Sequence, residues 1–303
     1  MIHHHKPFFI NTLIMIIIAD GGSTKCDWLL LNDEGQQVLK TRSKGLNPAV
    51  FKPHVLKERL EENEDLVRVK KDITRVDFYG AGCGTPTPNK NLHDILQEFI
   101  PHAEINIDED MVAAALAATD KPGIICILGT GSNSCFFDGK NVHMEVESLG
   151  YILMDEASGN YFGKRLIRDY YYKFMGEDMS REFAKRYDLD ADTIKENVYK
   201  KENPNTYLAS FAEFIFTSEE RNGYFYKLIY EGIEKFIERR VMCYRNAQNV
   251  PIHFIGSIAF FSEDIIRDVA KRYHLNIGNI IRRPIDGLIN HYQKNVIPQL
   301  KKA

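Results

Sequence analysis

The strongest constraint on the fold is a pattern that occurs twice. Met15 to Gly35 reads MIIIADGGSTKCDWLLLNDEG, and Gly123 to Lys140 reads GIICILGTGSNSCFFDGK. Each segment has a β-branched apolar run, a turn of Gly, Ser and Thr or Asn, a second apolar run and then a Gly-containing turn. Short apolar runs bounded by turn residues read as buried strands, and Asp138-Gly139 between apolar runs is a hairpin signal. Each segment therefore reads as strand, tight polar turn, strand, turn, strand. The recurrence predicts a duplicated α/β domain.

Helix and strand signals alternate elsewhere. Phe51 to Asn63 is a helix rich in Leu, Glu and Lys, and Val76 to Tyr79 is a strand running into Gly80-Ala81-Gly82. A helix over Asn91 to Ile100 stops at Pro101, a strand covers Glu104 to Asp108, and an Ala-rich helix covers Asp110 to Thr119. Beyond the second unit, helices are expected over Gly159 to Phe174, Ser180 to Tyr187, Tyr207 to Thr217 and Gly223 to Asn246. Then come a strand, Ile252 to Ile255, the turn Gly256-Ser257, and a helix from Glu263 to Tyr273. That last helix has acid first and base last, which suits its dipole. The expected division is a tail, 1–14, lobes at 15–118 and 119–285, and a C-terminal helix, 286–303, returning to the first lobe.

Composition narrows the function classes. The formal charge of -3 over 303 residues gives no basic footprint for nucleic acid. Cys26, Cys83, Cys126, Cys135 and Cys243 form no C-x-x-C pair, so they read as buried free thiols in a reducing, cytoplasmic setting. The apolar run Phe8 to Ala19 is followed by no A-x-A-like cleavage site and is too short to cross a bilayer. It reads as a tail leading into a buried strand at Ile16. His3 to His5 could form a metal-binding stub, but three adjacent tail histidines rarely close a site.

Gly21 to Thr24 and Gly129 to Asn133 carry the chemistry. Glycines let backbone N–H groups approach an anion, and hydroxyls add donors, so both turns read as phosphate cradles as well as plain hairpin bends. A Walker A loop fails at Gly159 to Arg165 on spacing, and a dinucleotide fingerprint fails at Gly129-x-Gly131 because a strand follows. Three acidic positions stand out. Asp20 ends the first strand, where it could hold Mg²⁺ through water or simply shape the turn. Asp110 opens a helix, as a general base or a cap. Asp155-Glu156 precedes Ala157-Ser158-Gly159, as a holder of hydroxyls or a helix start.

In order, GGST, Asp110, GTGSN, the Asp155-Glu156-x-Ser158 segment and the late strand–Gly256-Ser257–helix resemble the acetate and sugar kinase/actin-like ATPase superfamily. Within it the chain is similar to the N-acetylglucosamine kinase branch, grouped with the BadF/BadG/BcrA/BcrD ATPases, from about Ile16 to Tyr292. The resemblance implies two RNase H-like lobes, the actin-like ATPase fold, with ATP and sugar in the cleft. It implies phosphate binding by Gly21, Gly22, Ser23, Thr24 and Lys25 and by Gly129, Thr130, Gly131 and Ser132, with Gly256 and Ser257 at the adenosine. Sugar contacts are implied for Asn47, Asn133, Asp155 and Glu156, and the base is Asp110, preferred to Asp108 on its spacing to the second turn. The two bends would grip one triphosphate from opposite sides, with Mg²⁺ on Asp20 through water.

The implied activity is phosphorylation of N-acetylglucosamine at its 6-hydroxyl by a cytoplasmic enzyme without nucleic-acid or membrane partners. A homodimer is one candidate state. The family pattern G-D-E-G-S is here Met154-Asp155-Glu156-Ala157-Ser158, which puts the exact sugar in doubt. Other readings are a kinase for glucosamine or N-acetylmuramic acid, a BadF-type activator ATPase with an iron–sulfur cluster, or a sugar-binding relative without turnover.

Overall fold

The computed structural model describes residues 14–218 and 223–302. His3 to His5 and the tail before residue 14 lie outside the described residues. The chain divides into two compact units, one of the residues up to Asp108 together with those from Tyr292 on, the other of Glu109–His291.

The first unit is built on a sheet of β1 (Ile16–Gly21), β2 (Lys25–Leu31), β3 (Gln37–Lys44), β4 (Arg75–Gly80) and β5 (Glu104–Glu109), in the order β3-β2-β1-β4-β5. Strand β1 runs antiparallel to β2 and parallel to β4. It is central and buried on both faces, which explains why its sequence is a continuous Ile run rather than an alternation. The edge strand β3 carries Lys40, Arg42 and Lys44, charges that deter edge pairing. Helices α1 (Pro53–Glu61), α2 (Glu64–Val69) and α3 (Pro86–Phe99) supply Leu56, Leu60, Leu66, Leu92 and Leu96 to the core that Ile17, Trp28 and Phe78 line from the sheet. Burying each such side chain contributes about 1.5–3 kcal/mol. Helix α3 begins earlier than expected because Pro86 takes its first turn, where the missing N–H costs nothing.

On the other face of this sheet Asp77 is buried. Arg75 Nε donates to it at 2.9 Å, Asn106 Nδ2 at 3.0 Å, and the Tyr292 hydroxyl at 2.7 Å. The Tyr79 hydroxyl pairs with that of Tyr292 at 2.9 Å. Tyr292 opens a π-helical turn, Tyr292–Val296, so this network ties the chain's last segment to β4.

The second unit repeats the plan. Helix α4 (Asp110–Ala118) precedes β6 (Gly123–Leu128), β7 (Ser132–Phe137) and the short β8 (Val142–His143). Helices α5 (Gly159–Tyr171), α6 (Glu177–Arg186), α7 (Ala191–Tyr199), α8 (Pro204–Ser210), α9 (Glu213–Thr217) and α10 (Gly223–Phe236) follow. Strand β9 (Ile252–Ile255), α11 (Ser257–Phe261), α12 (Glu263–Arg272), β10 (Ile277–Ile281) and α13 (Pro284–His291) complete it, while α14 (Ile297–Leu300) belongs to the first unit. The sheet order β8-β7-β6-β9-β10 matches that of the first sheet strand for strand, as a duplication requires. Here β6 is antiparallel to β7 and parallel to β9.

Three expectations need correction. The division falls ahead of α4, not after residue 118, because α4 packs its Met111, Ala114, Ala115 and Ala118 against Ile125, Cys135 and Phe137 of the second sheet. The helix expected over Tyr207 to Thr217 is broken into α8 and α9. The helix expected over Gly223 to Asn246 ends as α10 at Phe236 and continues as a π-helical turn, Ile237–Val241, in which Met242 N–H reaches back to the Ile237 carbonyl. There Arg240 is buried, its carbonyl accepting from Ser134 Oγ at 2.6 Å and its guanidinium donating to the Val146 carbonyl at 2.7 Å. No helix among the described residues is long and apolar enough to cross a membrane.

Replacing Tyr292 with Phe removes one donor from the buried Asp77 and the partner of the Tyr79 hydroxyl. The expected loss is about 1–3 kcal/mol of unfolding free energy, read from urea denaturation of the Tyr292→Phe variant against wild type.

Candidate active site

In the first unit the β1–β2 turn closes with Gly22 N–H donating to the Lys25 carbonyl at 2.9 Å. Two other segments converge on it. Gly45 N–H reaches the Thr24 carbonyl at 3.1 Å, Leu46 N–H the Gly22 carbonyl at 3.1 Å, and Ala81 N–H the Gly21 carbonyl at 2.9 Å. Gly45 has no room for a side chain, since a Cβ there would lie 2.2 Å from the Ser23 carbonyl oxygen. Asn47 is buried, donating from Nδ2 to Ser23 Oγ at 2.9 Å and accepting at Oδ1 from Ala49 N–H at 2.9 Å. Its amide thus fixes the turn from behind.

Thr24 and Lys25 are exposed, and Lys25 is the first residue of β2. Asp20 is half-buried within β1 and lies opposite Asp27 in register. Asp27 was not singled out from sequence. It is buried and held by Arg42 Nε at 2.6 Å, and a lone acid inside the apolar run of β2 was its only signal.

The second unit gathers its expected residues more tightly. After β6, Gly129 N–H donates to the Gly131 carbonyl at 3.0 Å. The start of α5 docks on this turn, with Gly159 N–H on the Gly129 carbonyl at 2.8 Å and Asn160 N–H on the Thr130 carbonyl at 3.0 Å. Ser158 caps α5 by accepting from Tyr161 N–H at 3.1 Å. Ser132 Oγ donates to the Glu156 carbonyl at 2.7 Å. Gly256 follows β9 at a φ of +120°, and a Cβ there would lie 2.2 Å from the Leu128 carbonyl oxygen, so it meets the end of β6 backbone to backbone. The second turn, the acidic pair, the start of α5 and Gly256 therefore form one cluster. Ser257 beside it is exposed.

Asp155 and Glu156 are both buried. Burial pushes the Asp155 carboxyl up, opposed by the Ser132 N–H and by the charges of Arg240 and Lys164. Glu156 is ion-paired with Arg239. Asp155 and Ala157 take left-handed backbone, φ +69° and +58°. Ala157 thus holds a conformation that glycine takes without penalty, at a steric cost of roughly 1–2 kcal/mol, while its methyl packs in the core. Asn160, at the head of α5, is buried with an unpartnered Oδ1 and was not anticipated.

Asn133 lies in β7 rather than in the turn. It shares a sheet face with Cys135, two residues on, and α4 covers that face. Asp110 opens α4, within electrostatic reach of the Cys135 thiol. It is half-buried, and burial with the neighbouring Glu109 charge raises its carboxyl to about 6. Asp110 and Asn133 therefore belong to one face of one sheet. Cys26, Cys83, Cys126 and Cys135 are buried and Cys243 half-buried, all as free thiols. Among the described residues no group of three or more His, Cys, Asp or Glu could hold a metal ion.

Known proteins sharpen this picture. The model of the BadF/BadG/BcrA/BcrD ATPase family matches residues 19–274. No curated protein matches the sequence. Among solved structures, a candidate N-acetylglucosamine kinase from Porphyromonas gingivalis is 37% identical, with 93% of this chain and 99% of that chain covered and a TM-score of 0.86. A candidate N-acetylglucosamine kinase from Chromobacterium violaceum is 15% identical over 92% of this chain and 99% of its own, with a TM-score of 0.69. A ROK family glucokinase from Streptomyces griseus, solved with glucose and AMPPNP, is 12% identical over 91% and 97%, with a TM-score of 0.59. The last two share the fold alone. The two-sheet α/β architecture is thus that of actin-like ATPase relatives, as expected.

Two stability effects follow. Gly256→Ala should cost several kcal/mol, roughly the scale of a severe backbone clash, seen as a large drop in the denaturation midpoint. Asp110→Asn should have the opposite sign. A carboxyl raised to about 6 from its ordinary value costs stability once ionised, so wild type loses this stability as pH rises through about 6. The variant should gain on the order of 2 kcal/mol at pH 8 and nothing below about pH 4, read as pH-dependent melting of the two proteins.

Proposed function

We propose that this chain, which belongs to the BadF/BadG/BcrA/BcrD ATPase family, is an ATP-dependent kinase that phosphorylates N-acetylglucosamine on its 6-hydroxyl. The identity of 37% to the Porphyromonas gingivalis protein over nearly the whole of both chains supports the substrate class. The observation that carries the mechanism is Asp110. Its carboxyl, raised to about 6, is mostly ionised at neutral pH yet basic enough to accept a proton.

Phosphoryl transfer asks the protein for alignment and charge stabilisation rather than covalent chemistry. Gly21 to Lys25 and Gly129 to Ser132 are assigned to the triphosphate of ATP, through main-chain N–H groups and hydroxyls. Gly256 and Ser257 are assigned to the adenosine. Asp155 and Asn133 are assigned to the sugar hydroxyls, and Glu156 shapes the loop through Arg239. Asn47 serves the sugar or, on its present bonds, the turn that Ser23 occupies. Asp110 takes the proton of the attacking hydroxyl as the new oxygen–phosphorus bond forms and the bond to ADP breaks.

Mg²⁺, bound with the nucleotide, supplies neutralisation of phosphate charge. The residues fit a hydrated ion rather than a protein cage. Asp27 is matched by Arg42, no three-ligand cluster exists among the described residues, and Asp20 is the carboxylate assigned to the ion's water shell.

A panel of sugars with coupled ADP detection tests the substrate, and phosphorus NMR of the product tests the position. ADP release that no sugar stimulates would end the kinase reading. Asp110→Asn should lower kcat by about 10²–10⁴-fold with KM for ATP little changed. In wild type, kcat should rise with pH through about 6 and then level, because the base works only when ionised. A flat profile between pH 5 and 8 removes Asp110 from that role.

A further inference from the structure

Among the described residues, the buried side-chain atoms without a hydrogen-bond partner are Asn160 Oδ1, Asn203 Oδ1, Tyr207 Oη, His253 Nε2 and Ser262 Oγ. Asn203 and Tyr207 belong to the start of α8, His253 to β9, and Ser262 to the junction of α11 and α12. Asn160 alone of these sits in the cluster formed by the second turn and the acidic pair, as the second residue of α5. It is 1% exposed, and its Nδ2 forms no hydrogen bond among the described residues either. A buried amide left unpaired costs stability, and a leucine of similar shape would fill the space without that cost.

The backbone fixes where this amide lies. Asn160 N–H donates to the Thr130 carbonyl at 3.0 Å, which fastens the residue to the second Gly turn. One flank of α5 presses on α8 so closely that a Cβ on Gly163 would lie 1.8 Å from the Leu208 carbonyl oxygen. Another sets Tyr161 and Phe162 against Gly232 of α10. Asn160 sits on neither flank but shares a stripe of the helix with Lys164, four residues on. Lys164 donates to the Tyr151 carbonyl and lies within electrostatic reach of Asp155 and Glu156. Side chains on a helix lean toward its N-terminus, so the Asn160 amide is directed to the end of α5 that meets the turn and the acidic loop.

An unpartnered amide oxygen calls for a donor. Ionised phosphate offers only acceptors, so the nucleotide's triphosphate does not supply one. Sugar hydroxyls turn to either role and are suited by the carboxylate of Asp155. The N–H of an acetamido group is neutral, donates only, and needs an acceptor once water is excluded. We infer that Asn160 Oδ1 accepts the acetamido N–H at C2 of the sugar, which makes Asn160 the residue that selects 2-acetamido sugars over their 2-deoxy counterparts. The inference rests on the sugar kinase reading and deepens it by giving the acetamido preference to one side chain.

The test compares wild type with Asn160→Leu on N-acetylglucosamine and on 2-deoxyglucose, which has no donor at C2. Coupled ADP assays give the constants for the first sugar. The second is read as a substrate and as a competitive inhibitor, so its affinity is obtained with or without turnover. The variant should raise KM for N-acetylglucosamine about 10–100-fold, the scale of one buried hydrogen bond broken with its donor left unpaired. Its kcat should stay within about threefold, and its affinity for 2-deoxyglucose within about twofold. Without sugar it should melt no lower than wild type, because an apolar group replaces an unpaired amide. Should Asn160→Leu fail to fold, Asn160→Ala takes its place in the kinetic comparison.

Unchanged KM for N-acetylglucosamine, or an equal loss on both sugars, overturns the assignment while leaving the kinase reading intact. If neither sugar is phosphorylated, the kinase reading falls and titration calorimetry with N-acetylglucosamine decides the role of Asn160. Saturable binding that the substitution weakens at least 10-fold supports it, and no binding, or equal binding by both proteins, overturns it.

Discussion

Strands β1 and β6 are each hydrogen-bonded along both edges and covered on both faces. A strand so enclosed can carry no unpaired polar group along its length without a desolvation cost of several kcal/mol. Polar chemistry is therefore pushed to the point where each strand ends. Asp20 and the first Gly turn sit at the end of β1, and Gly129 to Ser132 sit at the end of β6. The neighbouring strand β4 or β9 stops at the same level, in Gly80-Ala81-Gly82 or Gly256-Ser257. Backbones crowd there, as Gly21 beneath the Phe78 ring and Gly256 against Leu128 show. Glycine at these ends answers crowding first, and the anion-binding character comes with it.

The acidic loop is held by a different economy. Asp155 and Ala157 adopt left-handed backbone that neither residue prefers, and such strain persists only where its surroundings over-determine it. Ser132 Oγ on the Glu156 carbonyl, Arg239 on the Glu156 carboxylate and the capped start of α5 supply that determination. The loop's position is thus set by the second turn, and a change in either moves both.

The duplication, the central strands and the Gly turns were legible because each is a local signal: apolar runs of period-free hydrophobicity broken by Gly, Ser and Thr. The junction at Asp110 was legible too, because a strand pattern there gives way to an Ala-rich helix. What escaped depends on contacts distant in sequence. Asp27 looks like a strand acid until Arg42, from the next strand, is seen to match it. Strand β10 reads IGNII around a glycine, and only its parallel pairing to β9 makes it a strand. Helix α4 belongs by sequence order to the first repeat and by packing to the second sheet, which no periodicity announces. The break between α8 and α9 lies in a stretch whose apolar residues keep a helical rhythm throughout, so nothing local marks it.

The π-helical turn at Ile237–Val241 has a consequence for how the loop is kept charged correctly. Such a turn is an α-helix carrying one surplus residue, and it swings everything beyond it by about 100° relative to an unbroken helix. That swing sets the phase at which two adjacent arginines leave the helix, Arg239 reaching Glu156 while Arg240 goes inward to the Val146 carbonyl. Losing a single residue ahead of this pair would straighten the helix and turn both arginines by about 100°, away from those partners. An otherwise conservative shortening, more than eighty positions away in the chain from Glu156, would then strip the acidic loop of its counter-charge.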